Sequence, residues 1–490
     1  MIVTGALLPI STPAAQGIRA RGIHGFLDAV EAAPGIDPHG LVMMRHGYVV
    51  AAGWWFPYSA ERPQLLYSLS KSFTATALGF AVAEGLLGLD DPVIAHFPEF
   101  DREVTDPRIR SMRVRHLATM ATGHLADTWE QAVAADPAEP VRGFLSLPPE
   151  REPGSVFAYN QSATYTMAAI VQRASGQPLS RYLRPRLFDP LGVPAVGWRE
   201  YPPGRELGFS GLYASTDAVA RLGQLYLQRG IWQGKRLLAA AWVAAATRLH
   251  VTTEAEPNPD WQQGYGFQFW MSRHGYRGDG AFGQFCLVLP EQDAVIALTT
   301  ASLDMQSLLD AVWEHLLPAL GDTPISPGQP DADLADRLPR LALAAVRAEP
   351  APPVRRDEWA DTSFAPAGGD CEQQPSLIGV VVAEDRDGWH ITLRETGSEL
   401  RLRLGRDGWV VSDPVASAEG VVVPTAVSGG WTDATTLRVE VIFLETPHRL
   451  IVTCALPSRT FEAMWTTMAL QPGHLAELRS PRRPRDGLSG

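Results

Sequence analysis

Only two of the 42 basic side chains in this chain are lysines, Lys71 and Lys235, and the first stands three residues after a serine in Tyr67-Ser68-Leu69-Ser70-Lys71-Ser72-Phe73. A bias that has made nearly every other cation an arginine leaves this one in place, which points to a task that arginine cannot do. Arginine is always protonated, whereas a buried lysine becomes neutral and accepts a proton. Ser68-x-x-Lys71 therefore has the make-up of a nucleophile and its activating partner. A second candidate is Tyr159, in Phe157-Ala158-Tyr159-Asn160-Gln161-Ser162, which opens an apolar helix just after the Pro153-Gly154 turn. Held beside Lys71 it could share a proton, because two basic groups in contact each make the other's proton easier to lose. The competing reading of Tyr159 is a tyrosine that simply packs in the core.

For these side chains to meet, the elements around them must have a particular form. From Ser68 to Gly85 the chain is small and apolar without proline, then stops at Gly85, Gly88 and Asp90-Asp91-Pro92. This predicts a helix opened by Ser68, with Ser68 and Lys71 on one face of its first turn and the serine Oγ near the positive end of the helix dipole. Residues 40–53 alternate about His46-Gly47 and predict a β-hairpin. Residues 90–265 read as mainly helical, as in Ala163–Ala174 and Thr216–Gly230. Two strands are predicted around Pro290-Glu291-Gln292-Asp293, followed by a helical stripe of Leu308, Leu309, Val312, Trp313, Leu316 and Leu317. Strands at both ends enclosing helices predict an α+β domain over 1–322. A proline-rich linker over 323–356, with a short helix at Leu334 to Ala345, leads to an all-β barrel or sandwich over 357–469. Arg386-Asp387-Gly388-Trp389 and Arg406-Asp407-Gly408-Trp409 repeat one hairpin signal there. Residues 470–490, rich in Arg and Pro at the end, read as a disordered tail.

Composition narrows the function. With 490 residues, 45% apolar, the chain can bury sizeable cores. Its formal net charge of -12 argues against nucleic acid or an anionic membrane as partner, and points to a small molecule. Cys286, Cys371 and Cys454 lie far apart without metal-ligand spacing and read as buried free thiols of a reducing compartment. Met1-Ile2-Val3-Thr4-Gly5-Ala6-Leu7-Leu8 lacks a basic n-region and meets Pro9 and Pro13, and no run approaches the ~18 apolar residues that span a bilayer, so the expectation is a cytoplasmic protein. His116, His124 and the other histidines show no clustering, so no metal or other cofactor is expected. Lys235 reads as a surface loop and His274 as a solvated turn residue.

The chain resembles the serine hydrolases of the class C β-lactamase and D-alanyl-D-alanine carboxypeptidase type, peptidase family S12. The likeness runs through most of 25–318 and rests on Val42-Met43-Met44-Arg45-His46-Gly47, the Tyr67–Phe73 segment, His116–His124, Gly211-Leu212-Tyr213-Ala214-Ser215-Thr216 and Gly278-Asp279-Gly280-Ala281-Phe282-Gly283. The resemblance implies Ser68 as nucleophile, Lys71 as its activating partner and Tyr159 as general base and later acid. It also implies substrate contacts from Gln161, Asp279, Gly280, Ala281 and Phe282, the backbone N–H of Ala281 or Phe282 sharing an oxyanion hole with that of Ser68. Two positions depart from the family. Gln161 stands where asparagine is usual, keeping the carboxamide on a longer arm. Asp279 stands where lysine or histidine is usual, and a free carboxylate there would repel anionic substrates. The expected activity is hydrolysis of an ester or an amide or peptide bond through an acyl-enzyme on Ser68, with poor action on β-lactams. The alternatives are acyl transfer to an amine, as in a peptide cyclase of penicillin-binding type, and a catalytically silent binding protein.

Overall fold

The structure, a computed structural model, describes residues 8–481 except 195, 350, 351, 353–355, 406, 407, 413–422 and 472. Its first sheet is antiparallel, in the order Tyr48–Trp54, Ile36–Arg45, Ala294–Ser302, Gln284–Leu289, Tyr276–Gly280, Trp270–Met271. Early and late parts of the N-terminal half are thus woven into one layer, and the helices between them form an insertion. Alternation along each strand sends side chains to two cores. Leu41, Met43, Phe285, Leu287, Ile296 and Leu298 face one; Val42, Met44, Cys286, Val288, Val295 and Ala297 face the other. The first core is closed by the helix Ala20–Ala32, which presents Ile23, Phe26, Leu27 and Val30 at helical spacing, and by the helical run from Met305. The second holds the helices Ser70–Ala83, Gln161–Ser175 and Thr216–Leu227. The hairpin turns at His46 and Gly47, with φ of 50° and 82°, the left-handed pair that a two-residue turn needs.

The helix expected to open at Ser68 begins later. Tyr67–Leu69 form a 3-10 turn and the α-helix proper spans Ser70–Ala83. Lys71 stays in its first turn, while Ser68 sits on the turn before it.

The segment expected as a linker is packed rather than free. Its helix is Gln329–Arg337, followed by a turn at Leu338–Arg340. Leu334, Leu338 and Leu341 are buried against the first core. The expected continuation to Ala345 fails because the backbone there pairs with another strand edge: Phe56 N–H donates to the Leu341 carbonyl at 2.9 Å and Leu343 N–H to the Phe56 carbonyl at 2.8 Å.

Beyond it lies a nine-stranded, nearly closed, barrel-like sheet, ordered Ser398–Arg403, Gly388–Glu395, Leu377–Asp385, Thr362–Pro366, Thr460–Thr467, His448–Ala455, Thr436–Phe443, Thr425–Trp431, Val410–Ser412. The first Asp-Gly-Trp signal is a hairpin, with Asp385 opposite Gly388. In the second, residues 406 and 407 lie outside the described residues, and the strands on either side are the two edges of the sheet. The tail expected from 470 is folded at least over 473–481. Leu475, Leu478 and Ser480 are buried, and Ser480 N–H donates to the Glu445 carboxylate at 2.6 Å.

A proline-rich linker implies few contacts between the segments it joins, whereas the two halves make many. Leu65 N–H donates to the Glu445 carbonyl at 2.8 Å, Gln64 Nε2 to the Leu444 carbonyl at 2.6 Å, and Arg449 pairs with Asp37 at 2.9 Å. Tyr58 shares a small core with Trp409, Ala426, Ile442 and Leu444. Among the described residues no helix is long and apolar enough to cross a membrane.

Because Leu334 fills the first core, Leu334→Ala should lower unfolding free energy by about 2–5 kcal/mol in urea denaturation. A freely hinged linker would change it by less than about 0.5 kcal/mol.

Candidate active site

Tyr67, immediately before Ser68, holds φ of 47°, a left-handed conformation that a bulky side chain adopts at a cost. Its surroundings account for that. The Tyr67 hydroxyl donates to His448 Nε2 at 2.7 Å and accepts from the Leu470 N–H, both of the C-terminal half. Its ring stands edge-on to Phe282 at 5.3 Å and to His448 at 5.9 Å. His448 Nδ1 lies 2.9 Å from the Thr467 carbonyl, which can only accept, so Nδ1 carries the proton and Nε2 is the acceptor. Burial lowers the His448 pKa to about 4, which keeps this arrangement neutral. On the chain side, Ser70 Oγ donates to the Tyr67 carbonyl at 2.6 Å. The turn thus leaves Ser68 half-exposed between buried neighbours.

The strand Tyr276–Gly280 closes on this turn from the other side. Gly278 and Gly280 face it. A Cβ on Gly278 would lie 2.4 Å from Leu69 Cδ1, and one on Gly280 would lie 2.2 Å from the Leu66 carbonyl oxygen. At Gly280 the clash is with backbone and glycine is required; at Gly278 the Leu69 and Ser72 side chains would have to shift. Ala281 and Phe282 follow at the strand's end and pack with Tyr67.

Lys71 is 1% exposed. Its Nζ lies 3.1 Å from Ser68 Oγ, 2.6 Å from Gln161 Oε1 and 2.9 Å from the Phe209 carbonyl oxygen. The amine also stands 4.7 Å from the centre of the Tyr159 ring. Burial lowers its pKa from 10.5 to about 7, against the opposing charges of Asp127 and Asp279. The partners define the neutral form. A neutral amine keeps two protons, the Gln161 and Phe209 oxygens accept them, and the lone pair is left facing the Ser68 hydroxyl. The longer side chain at position 161 still delivers its carboxamide to the lysine. Helix Gln161–Ser175 is capped by Asn160, whose Oδ1 accepts from Ser162 N–H at 3.0 Å and from Thr128 Oγ1 at 3.1 Å.

Tyr159 is brought to the same place, its hydroxyl hydrogen-bonded to the Ser68 side chain. Its pKa moves up, by burial first and then by the charges of Asp279 and Asp127. Of the two candidate bases, Lys71 is the one whose deprotonated, proton-accepting form is populated near pH 7.

Asp279 is not a free carboxylate. It accepts from Arg277 Nε at 2.9 Å within a pair whose side chains are 8% and 0% exposed. Arg277 stands 4.4 Å from the Trp261 ring and also donates to Ser272 Oγ at 2.7 Å. Burial raises the Asp279 pKa and Arg277 opposes that rise. The expected repulsion of anions by Asp279 is therefore corrected: residues two apart on a strand share a face, and Arg277 offsets the charge.

A cavity of about 410 Å³ opens beside Ser68. It is lined by Asp127, Trp129, Glu130 and Arg199 and by His448, Leu470 and Gln471 of the C-terminal half. Asp127 accepts from Gln161 N–H at 2.9 Å, which fixes it next to the lysine's carboxamide partner. Sequence reading missed Asp127, Phe209, Arg199 and His448. Phe209 stands two residues before the Gly211–Thr216 segment, which was a usable signal; Asp127 carries no spacing signal. His274 is exposed in a turn against Trp313, and Lys235 is exposed on a two-residue strand, so neither joins the site. The three cysteines are buried and free. Among the described residues no group of three or more His, Cys, Asp or Glu is placed to hold a metal.

A family model described as Beta-lactamase matches residues 28–320. The 6-aminohexanoate-dimer hydrolase of Paenarthrobacter ureafaciens is 25% identical over 285 residues, 52% of this chain and 70% of that one. Penicillin-binding protein 4 of Amycolatopsis lactamdurans is 27% identical over 293 residues, 52% and 76%. A β-lactamase of Escherichia coli K12 is 28% identical over 154 residues, a stretch spanning only 39% of its length. Among solved structures, SurE has a TM-score of 0.50 at 20% identity over 83% of this chain and 94% of its own, a likeness of fold that extends past the catalytic half.

Two outcomes follow from this geometry. Labelling of Ser68 by a fluorophosphonate should rise with pH through about 7 and then level, and Asp127→Asn should move that limb to lower pH by removing a charge that favours the ammonium. Because the folded pKa of Lys71 is lowered, the unfolded chain binds more protons between pH 7 and 10.5; the burial penalty is full below pH 7 and fades as pH rises through that window. Lys71→Met should accordingly raise the melting temperature at pH 6 while abolishing labelling.

The second outcome concerns the turn. Tyr67→Phe and His448→Phe should each slow labelling roughly tenfold, the scale of one buried hydrogen bond of about 1.4 kcal/mol. His448→Gln, which keeps an acceptor, should be milder.

Proposed function

From the premise that this chain belongs to the β-lactamase family, serine hydrolases whose members include esterases, amide hydrolases and penicillin-binding proteins, we propose that it hydrolyses an ester or amide through an acyl-enzyme on Ser68. The observation that carries this reading is the buried Lys71, its two obligate acceptors and the serine hydroxyl gathered around one amine. Lys71 takes the Ser68 proton as Oγ attacks the substrate carbonyl. The N–H groups of Ser68 and of Ala281 or Phe282 receive the developing oxyanion. Tyr159, whose phenol holds its proton firmly, relays the proton from the lysine to the leaving oxygen or nitrogen, which restores neutral Lys71. In deacylation water loses its proton to the same pair and attacks the acyl carbonyl, and Ser68 leaves with a proton from Lys71. On this reading Lys71, the expected activating partner, accepts the serine proton, and Tyr159, expected as general base and later acid, relays it.

The cavity of about 410 Å³ suits a small acyl group and leaving group rather than a folded polypeptide. At the third-motif position the carboxylate is already bound to Arg277, and it supplies no cation for the carboxylate of a β-lactam. We place β-lactams among the poor substrates.

A neutral p-nitrophenyl ester should be turned over by the wild type, with one fluorophosphonate adduct on Ser68 by intact mass. Ser68→Ala should show neither, and Lys71→Arg should lose at least a hundredfold in kcat/KM although it keeps the charge. Efficient cephalosporin turnover by the wild type would reverse the assignment of β-lactams as poor substrates. Undiminished labelling in Ser68→Ala would remove Ser68 from the mechanism.

A further inference from the structure

Three cations stand at the site, and two are committed. Lys71 is occupied with Ser68, Gln161 and Phe209, and Arg277 holds Asp279. The third, Arg199, is half-buried in the cavity wall and follows the short strand Gly197–Trp198. Its Nε donates to the Tyr213 hydroxyl at 3.1 Å and its Nη2 to the Glu477 carbonyl oxygen at 3.1 Å, both neutral acceptors. The guanidinium also stands 5.6 Å from the centre of the Tyr213 ring. Among the described residues it forms no ion pair, whereas neighbouring Arg205 and Arg277 each hold a carboxylate. The Glu477 carboxylate lies instead beside Gly473. The guanidinium is therefore oriented by two hydrogen bonds without losing its charge, and that charge is felt at Tyr67, Tyr213 and His448 around the serine turn.

We infer that Arg199 is an anion subsite of the substrate cleft, taking a carboxylate that the substrate carries at some distance from its scissile bond. The inference rests on the hydrolase reading and specifies its substrate class. Asp127 and Glu130 line the same cavity, so a substrate carboxylate is repelled by them and attracted by Arg199, which favours binding with the carboxylate at the guanidinium. Arginine suits the task because its planar fork meets a carboxylate with parallel N–H donors even when part of the fork is already anchored. Arg199 also lines a second cavity of about 170 Å³ that shares Ala469, Gln471 and Leu478 with the first; Glu372 and Glu477 line that one, so the anionic group is favoured on the Ser68 side of Arg199. The positive charge missing from the third-motif strand is in this way supplied from a different wall, by a residue whose anchor is the C-terminal segment.

The test compares matched esters on the full chain. One pair is 3-carboxyphenyl and 3-carbamoylphenyl phenylacetate, with the charge on the leaving group; the other is the mono-4-nitrophenyl ester of glutaric acid and 4-nitrophenyl glutaramate, with the charge on the acyl part. The wild type should favour the carboxylate member of at least one pair by tenfold or more in kcat/KM, mainly through KM. Arg199→Gln should remove that preference, bringing the carboxylate-to-neutral ratio of kcat/KM to about one, and Arg199→Lys, which keeps charge without the fork, should fall between. Equal kcat/KM within both pairs in the wild type, or a preference that survives in Arg199→Gln, overturns the inference. If the wild type turns over no ester at all, the hydrolase reading fails separately. Quenching of tryptophan fluorescence by hippurate against hippuramide, in wild type and Arg199→Gln, then decides the subsite by itself: hippurate binding that Arg199→Gln abolishes supports it, and equal binding of the two probes overturns it.

Discussion

The structure depends on keeping one amine out of water. A lysine ammonium buried in the second core would be costly if it remained charged and unpartnered, and the chain meets this by lowering the pKa of Lys71 to about 7 and by surrounding it with oxygen acceptors. Each requirement of that solution recruits another element. The helix Gln161–Ser175 must bring its first side chain to the amine, so its start is fixed by the Asn160 cap. The loop carrying Asp127 must lie against the same helix start, which places a carboxylate where it moderates how far the pKa falls. The Phe209 carbonyl must face inward although the chain around it is irregular. The burial that makes Lys71 a base thus dictates where three separate segments end.

The serine turn carries a different constraint, the left-handed Tyr67. A strained residue persists only where its neighbours over-determine it. Here the ring is gripped between Phe282 and His448 and the hydroxyl is bonded twice, with the strand Tyr276–Gly280 pressed close through two glycines. Half of that grip belongs to residues after 440. The β-rich C-terminal half is on this account a structural part of the reaction centre, and the packed segment with Leu334, Leu338 and Leu341 holds it in register with the catalytic half.

What the sequence made legible follows from how local each signal was. The Ser68–Lys71 pair was readable because three-residue spacing and a proline-free run are both local, and Tyr159 because it opens a helix after a Pro-Gly turn; Gln161 came only through the family resemblance. The alternation in residues 40–53 and the turn at residues 290–293 revealed strands of the first sheet for the same reason. The exact opening of the helix was not readable, since a 3-10 turn and an α-turn share residue preferences. The linker and tail were misjudged because proline and arginine content outweighed sparser apolar positions: Leu334, Leu338 and Leu341 in one, Leu475 and Leu478 in the other. Arg199, Asp127 and His448 could not have been assembled from spacing at all, as they come from segments joined only by the fold.

Asp279 shows most directly why a motif position does not carry its chemistry alone. Taken as an isolated carboxylate it sets the cleft against anions; taken with Arg277, one strand step of two residues away, it is half of a buried pair. The net field at that strand is then small, and the polarity of the cleft is set by the other charges that line it, the carboxylates of Asp127 and Glu130 and the guanidinium of Arg199. Selectivity in such a site is governed by the charges left over after internal pairing, and in this chain those charges lie on loops and on the contact with the C-terminal half. Those are the parts of the structure that can vary while the Ser68, Lys71 and Tyr159 cluster stays in place.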